Sequence, residues 1–184
     1  MKSILMIVSV CVLVFGCAAP AKNNAAAVPD SSSGMALSSA SFAAGETIPR
    51  RYTLYGENLT PDLNWDKAPE GAKSFALTVR DPDAPGGSFV HWVVFNIPEN
   101  VRALPEGIGR DPTLPLGGTQ GTNSFRQVGW DGPKPPNGTH RYYFDLYALD
   151  GMLSLDQTAT AGRLQEAMKG HVLAHASLMG TYKK

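Results

Sequence analysis

The residues of this 184-residue chain best suited to chemistry stand in three short stretches. "DPDAP" (Asp81–Pro85) brings a carboxylate, "HWVVFNIP" (His91–Pro98) opens an apolar run on a histidine, and "GPKPPNGTHRY" (Gly132–Tyr142) closes on His140 and Tyr142. Asp81 precedes Pro82, whose ring holds it extended. Loops this rich in Pro and Gly are stiff, and their glycines let a ligand approach backbone N–H groups closely. Two imidazoles, a phenol, a carboxylate and exposed amides can together line one small polar pocket.

Each residue also has a plainer role. Asp before Pro is a common turn former whose side chain caps nearby amides. His91 suits a hydrogen-bonded core histidine, and Tyr142 suits core with its hydroxyl paired. Two histidines and an aspartate also match the facial triad of non-haem iron enzymes or an open zinc site. That alternative, a metal-dependent enzyme using Asp81, His91 and His140, needs neutral imidazoles with acceptors behind them. Rigid loops lined with amides suit an anion better, so no metal ligand and no cofactor is expected. For hydrolysis there is no G-x-S-x-G elbow. Ser88, the only serine near the motif histidines, has no evident group to orient a base beside it, so no catalytic residue is assigned. His171 and His175 lie outside the three stretches and read as structural. Arg141 points away from His140 and reads as a surface or ion-pair residue.

The elements that position these residues are mostly strands. "SFALTV" (Ser74–Val79) alternates with period two, Phe75, Leu77 and Val79 on one face. His91–Ile97 is almost wholly apolar and rich in β-formers, which predicts a strand buried on both faces. "HRYYFDLYALD" alternates again, placing His140, Tyr142, Phe144, Leu146 and Ala148 together. "TAGRLQEAMKG" (Thr160–Gly170) predicts a helix with Leu164, Ala167 and Met168 inward and Gly170 as its stop. "HVLAHASLMGTY" is ambiguous, and the alternation of Val172, Ala174, Ala176 and Leu178 favours a strand. Short strands, Gly/Pro turns and little helix predict a mainly β domain, a sandwich or barrel with one or two short peripheral helices.

In order and spacing, "DPDAP", "HWVVFNIP", "QGTNSF" (Gln120–Phe125) and "GPKPPNGTHRYYF" resemble the phosphatidylethanolamine-binding protein family. The closer likeness is to its bacterial branch, the Raf-kinase-inhibitor-like proteins. It extends from "PDLNW" (Pro61–Trp65) to the C-terminal "GHVLAHASLMGTY". The resemblance implies a β-sandwich of two antiparallel sheets with short peripheral helices. It also implies a small anion pocket that accepts phosphate, a carboxylate such as acetate, or a phospho-head-group. On the matching motifs that pocket uses Asp81, His91, Gly132, His140 and Tyr142, with Pro85 and Pro133 shaping it. The implied protein is a non-enzymatic binder of a small anionic or phosphorylated ligand. Eukaryotic relatives bind and inhibit kinases or proteases, so an inhibitor engaging a partner protein through the same pocket is the alternative. The chain departs from the pattern at "GWDGP", where Trp130 and Asp131 replace a tyrosine and a small residue. An acid beside an anion pocket is unexpected.

The N-terminal residues address location. Lys2 is followed by an apolar run, Ile4–Phe15, broken only by Ser9. It is short of the ~20 residues a membrane-spanning helix needs and fits a secretory h-region. The run ends in "VFGC", which resembles the lipobox of bacterial lipoproteins. That likeness implies removal of residues 1–16 and a lipid on Cys17. Residues 17–35, rich in Ala, Asn, Ser and Pro, form the expected flexible tether, and residues 36–184 the domain. Removing residues 1–16 leaves 168 residues with fifteen Lys+Arg, because Lys2 goes, against sixteen Asp+Glu. Such a balance offers no footprint for nucleic acid. Of the two cysteines, Cys11 leaves with the leader and Cys17 is acylated, so no disulfide is expected. The expected location is the cell envelope, lipid-anchored on the periplasmic side of a membrane, or the cell exterior where no outer membrane exists.

Overall fold

Alternating apolar residues build the two sheets of this domain. The computed structural model describes residues 34–184; the expected leader, Cys17 and most of the tether lie outside the described residues. β1 (Leu37–Ser38), β2 (Leu63–Trp65) and β5 (Ala103–Leu104) form a small sheet in the order β1-β2-β5. β3 (Ser74–Asp81), β4 (Phe89–Pro98), β6 (Thr119–Gln120), β7 (Thr139–Leu149) and β8 (Val172–Lys183) form the large one, in the order β6-β4-β3-β7-β8. Every pairing between these strands is antiparallel.

The inner face of the large sheet carries Phe75, Leu77, Val79, Trp92, Val94, Phe144 and Leu146, which pack with Leu37, Leu63, Trp65 and Leu104 of the small sheet. Its outer face carries a second core of Ala76, Val93, Phe95 and Leu149 under Leu164 and Met168. β4 therefore contributes to both cores, which is why its sequence lacks a polar face. A fully buried large apolar side chain contributes roughly 1.5–3 kcal/mol. With no cysteine in residues 34–184, these two cores rather than a disulfide hold the sandwich.

Residues 160–184 refine the sequence reading. The helix is α1 (Ala161–Ala167), shorter than expected; Thr160 caps it by accepting from Arg163 N, and Met168 ends it. Gly170, at φ +79°, turns the chain into β8. The ambiguous segment is a strand from Val172 onward, because β7 offers it an eleven-residue partner, Thr139–Leu149. Met35, which composition alone assigns to the tether, is 5 % exposed and packs in the inner core.

One irregularity bears directly on the site. Arg80 pairs with Val90 and Val79 pairs with Trp92, so His91 is the extra residue of a β-bulge. A bulge bends its strand and re-aims the side chain it carries. His91 is thereby turned out of simple alternation at the point where β4 leaves its loop.

Candidate functional site

β3, β4 and β7 lie side by side, and their ends at one edge of the sheet deliver Asp81, His91 and His140 to a common cavity. Its volume is about 230 Å³, and Ala84, Pro85, Phe89, Phe125, Lys134, Pro135 and Pro136 complete its walls. Three of the expected residues, Asp81, His91 and His140, thus meet here, with Pro85 on the rim. All three are buried polar side chains, exposed by no more than 6 %.

Hydrogen bonds orient both imidazoles. His140 Nδ1 lies 2.7 Å from Asp81 Oδ2, so Nδ1–H donates to the carboxylate. The other oxygen, Asp81 Oδ1, accepts from Asp83 N at 2.8 Å, which locks the "DPD" turn. His91 Nδ1–H donates to the Asp131 carbonyl at 2.5 Å. In each ring Nδ1 is engaged, and neither Nε2 has a hydrogen-bond partner or is fully buried among the described residues. The two Nε2 atoms are therefore the ring nitrogens available to the cavity. Burial pushes the pKa of His91 below 6.5, against the opposing pull of the Asp131 carbonyl and the nearby carboxylates.

The remaining sequence-assigned residues support the site from behind. Gly132 does not line the cavity, and its N–H already donates to Asn58 Oδ1 at 2.8 Å. It is glycine because a Cβ would sit 2.1 Å from the Tyr52 carbonyl oxygen. The Gly132 backbone nonetheless lies against His91, whose pKa it pulls up. Pro133 is likewise buried behind the wall, its carbonyl accepting from Leu54 N; Pro135 and Pro136 take the rim position. Tyr142 packs edge-on against the His91 ring, centroids 5.2 Å apart. Its hydroxyl is buried beside the Asp81 carboxylate without well-formed hydrogen-bond geometry to it, and burial, followed by the charge and proximity of Asp81, pushes its pKa up.

The unexpected acid has a structural explanation. Asp131 turns its carboxylate away from the cavity, where Arg110 Nη2 and Asn58 Nδ2 donate to Oδ1 and Asn123 Nδ2 donates to Oδ2 at 2.9 Å. Only its carbonyl faces His91. Its charge is thus neutralised by a guanidinium, and it ties the Asn58, Arg110 and Asn123 loops to the cavity floor.

Lys134, Phe89 and Phe125 are cavity residues that the motif reading did not assign. Phe125 closes "QGTNSF" and stands at a T-shaped 4.8 Å from Phe89, so its motif carried a signal. Lys134, inside "GPKPPNG", had none beyond its position. Arg141 engages Asp83 with its guanidinium and backbone N–H, and the guanidinium holds the Asp83 carboxyl at about 2. His171 and His175 bond Asp150 and Asp145. Among the described residues no three His, Cys, Asp or Glu side chains are grouped to hold a metal ion.

A two-sheet β-sandwich whose strand ends meet in a small cavity floored by two imidazoles defines a recognisable class. The chain belongs to the phosphatidylethanolamine-binding protein family, whose model matches residues 38–183. It is 49 % identical over 137 residues to a UPF0098 protein of Methanothermobacter thermautotrophicus, covering 74 % of this chain and 91 % of that one. Among solved structures, a putative phosphatidylethanolamine-binding protein homologue from Chlamydia trachomatis matches with TM-score 0.76 and 41 % identity, over 82 % of this chain and 97 % of that chain. E. coli YbcL, described as a member of the mammalian family, matches with TM-score 0.77 and 35 % identity, over 82 % and 98 % of the two chains.

Proposed function

We propose that the domain is a non-catalytic binding protein for small oxyanions, phosphate esters or carboxylates, and that the anion sits against the Nε2 atoms of His91 and His140. The observation that supports this best is the orientation of the two rings: both hold Nδ1 in internal hydrogen bonds and leave Nε2 for the cavity. Asp81 accepts from His140 and does not address the ligand as a bare charge. Neutral Nε2 is an acceptor, so an oxyanion needs a proton either on the imidazole or on itself to form a hydrogen bond. Binding is therefore coupled to proton uptake. A histidine titrates near pH ~6.5 when unperturbed, and His91 lies lower, so affinity for inorganic phosphate rises as pH falls from about 8.5 to about 6. Titration calorimetry in two buffers of different ionisation enthalpy measures both affinity and protons taken up. Equal affinity at both pH values with no proton uptake would overturn this reading.

The domain is further proposed to be displayed on a membrane through a lipid on Cys17, on the strength of "VFGC" after the apolar run. No helix among the described residues is long and apolar enough to cross a membrane. One acyl chain binds marginally and several bind stably, so full-length protein should stay with membranes through a salt wash. Cys17→Ser should release it and abolish lipid labelling; unlabelled wild-type protein would refute the anchor.

A further inference from the structure

The cavity has one wall of distinct charge. Lys134 lies on that wall itself. Behind it, Tyr55 donates its hydroxyl to Pro135 O at 3.1 Å and stacks on Tyr182, while its carbonyl accepts from Arg50 Nε at 2.9 Å. Lys183 pairs with Thr139 across β7 and β8, and the next residue's N–H donates to Gly138 O. Lys183 shares the sheet face of Thr139, opposite His140, and Arg50 reaches only Tyr55, so Lys134 is the cation that lines the cavity. Lys134 is exposed and is in no ion pair among the described residues.

The nearby carboxylates are engaged elsewhere. Asp81 uses one oxygen on His140 and the other on Asp83 N, and it is 3 % exposed. Asp83 gives both oxygens to Arg141, and Glu57 faces Arg51. Glu46 borders β8 at Thr181, two residues short of Lys183. A ligand reaching out of the cavity along this wall meets uncompensated positive charge and no free carboxylate on the cavity lining.

Resting on the anion-pocket reading above, we propose that this wall selects phosphorylated ligands bearing a second anionic group near the phosphate. Ligands bearing an ammonium there, such as a phosphoethanolamine head-group, are disfavoured. The ammonium of phosphoethanolamine lies two carbons from its ester oxygen, and its natural partner would be a free carboxylate. In water a unit charge ~6 Å from a lysine ammonium changes affinity by roughly threefold. Exchanging ammonium for carboxylate moves the ligand by two charge units, hence about tenfold for Lys134 alone. The competing attraction is cation–π contact of an ammonium with Phe89 or Phe125, which would invert the order.

Three phosphate monoesters of similar size test the proposal by calorimetry: phosphoglycolate, ethyl phosphate and phosphoethanolamine, with inorganic phosphate as reference. Affinity should fall in that order, with about tenfold or more between the ends. The spread should narrow by at least about threefold in K134Q, and in wild-type protein as ionic strength rises. Phosphoethanolamine binding tightest, or a spread unchanged in K134Q, would overturn the proposal while leaving the anion pocket intact. Failure of all four ligands to bind would overturn both.

Discussion

Two aspartate–histidine pairs are built on buried aspartates of the sheet, and one of them faces the cavity. Asp81 and His140 meet at 2.7 Å at the end of the sheet, and Asp145 and His175 meet at 3.1 Å on its outer face. β7 supplies one member of each pair, on opposite faces, because His140 and Asp145 differ by an odd number of residues. The outer pair is closed. Arg80 Nε donates to Asp145 Oδ2 at 2.9 Å, and the His175 ring stacks on Tyr147 with centroids 4.8 Å apart. Burial also raises the Tyr147 pKa to about 12, so that neighbour stays a neutral phenol. The inner pair has no guanidinium on its carboxylate, and its imidazole opens onto space. A carboxylate–imidazole pair is thus a structural brace where its surroundings complete it, and a candidate binding site where they leave Nε2 free.

The largest effect should come from breaking the closed pair. Removing one partner of a buried pair typically costs about 3–5 kcal/mol. Arg80 is 43 % exposed and rehydrates, so Asp145→Ala should cost about 2–3 kcal/mol in urea denaturation. Phosphate affinity should be untouched. Affinity that falls with it would mean the two pairs are not independent.

Next in size is the contrast between histidines. A hydrogen bond to a charged group contributes roughly 1.5–3 kcal/mol, so His140→Ala and His91→Ala should each weaken phosphate binding by about ten- to a hundred-fold. His175→Ala should leave it unchanged. Equal losses in His140→Ala and His175→Ala would remove the distinction drawn above.

Acid should reach the two regions in sequence. Burial holds the folded pKa of His91 below the ordinary 6.5 of an imidazole. Below that pH the unfolded state takes up the proton first, so stability falls with pH until the folded pKa is passed. Asp145 has a folded pKa below 3.8, its hydrogen bonds and Arg80 outweighing desolvation. Its contribution is present above about 3.8 and is lost only as pH falls through the lower folded value. Melting temperatures should therefore begin to drop as pH falls below about 6.5, and His91→Gln should flatten that part of the curve. Added phosphate should restore stability there, because it binds the protonated site. Asp145→Asn should alter the curve only near or below pH 4.

The smallest effect concerns Tyr142. Its hydroxyl is buried without a partner, and an unsatisfied buried group is costly. Tyr142→Phe should be neutral or stabilise by up to about 1 kcal/mol, and should weaken phosphate binding less than either histidine variant. A clear loss of stability would show that the hydroxyl has a partner, the neighbouring Asp81 carboxylate or a bound water.

Local pattern settled most of the architecture. Period-two alternation in β3 and β7 and the unbroken apolar run of β4 were legible because each residue's facing is set by backbone geometry alone. The four ordered motifs likewise pointed to the family and to Asp81, His91 and His140. What the sequence could not show depends on contacts between distant segments. The bulge that aims His91 arises from β3–β4 register, which no single strand's pattern encodes. The withdrawal of Gly132 behind the wall follows from its packing against Tyr52 and Thr53, eighty residues away in the chain. Asp131, an apparent obstacle to an anion in sequence, is turned outward by Arg110, Asn58 and Asn123. Residue types and their order determined which groups are available for chemistry. Only tertiary packing decided which of them face the cavity, because a side chain's direction at a strand end depends on the neighbours that fill its other side.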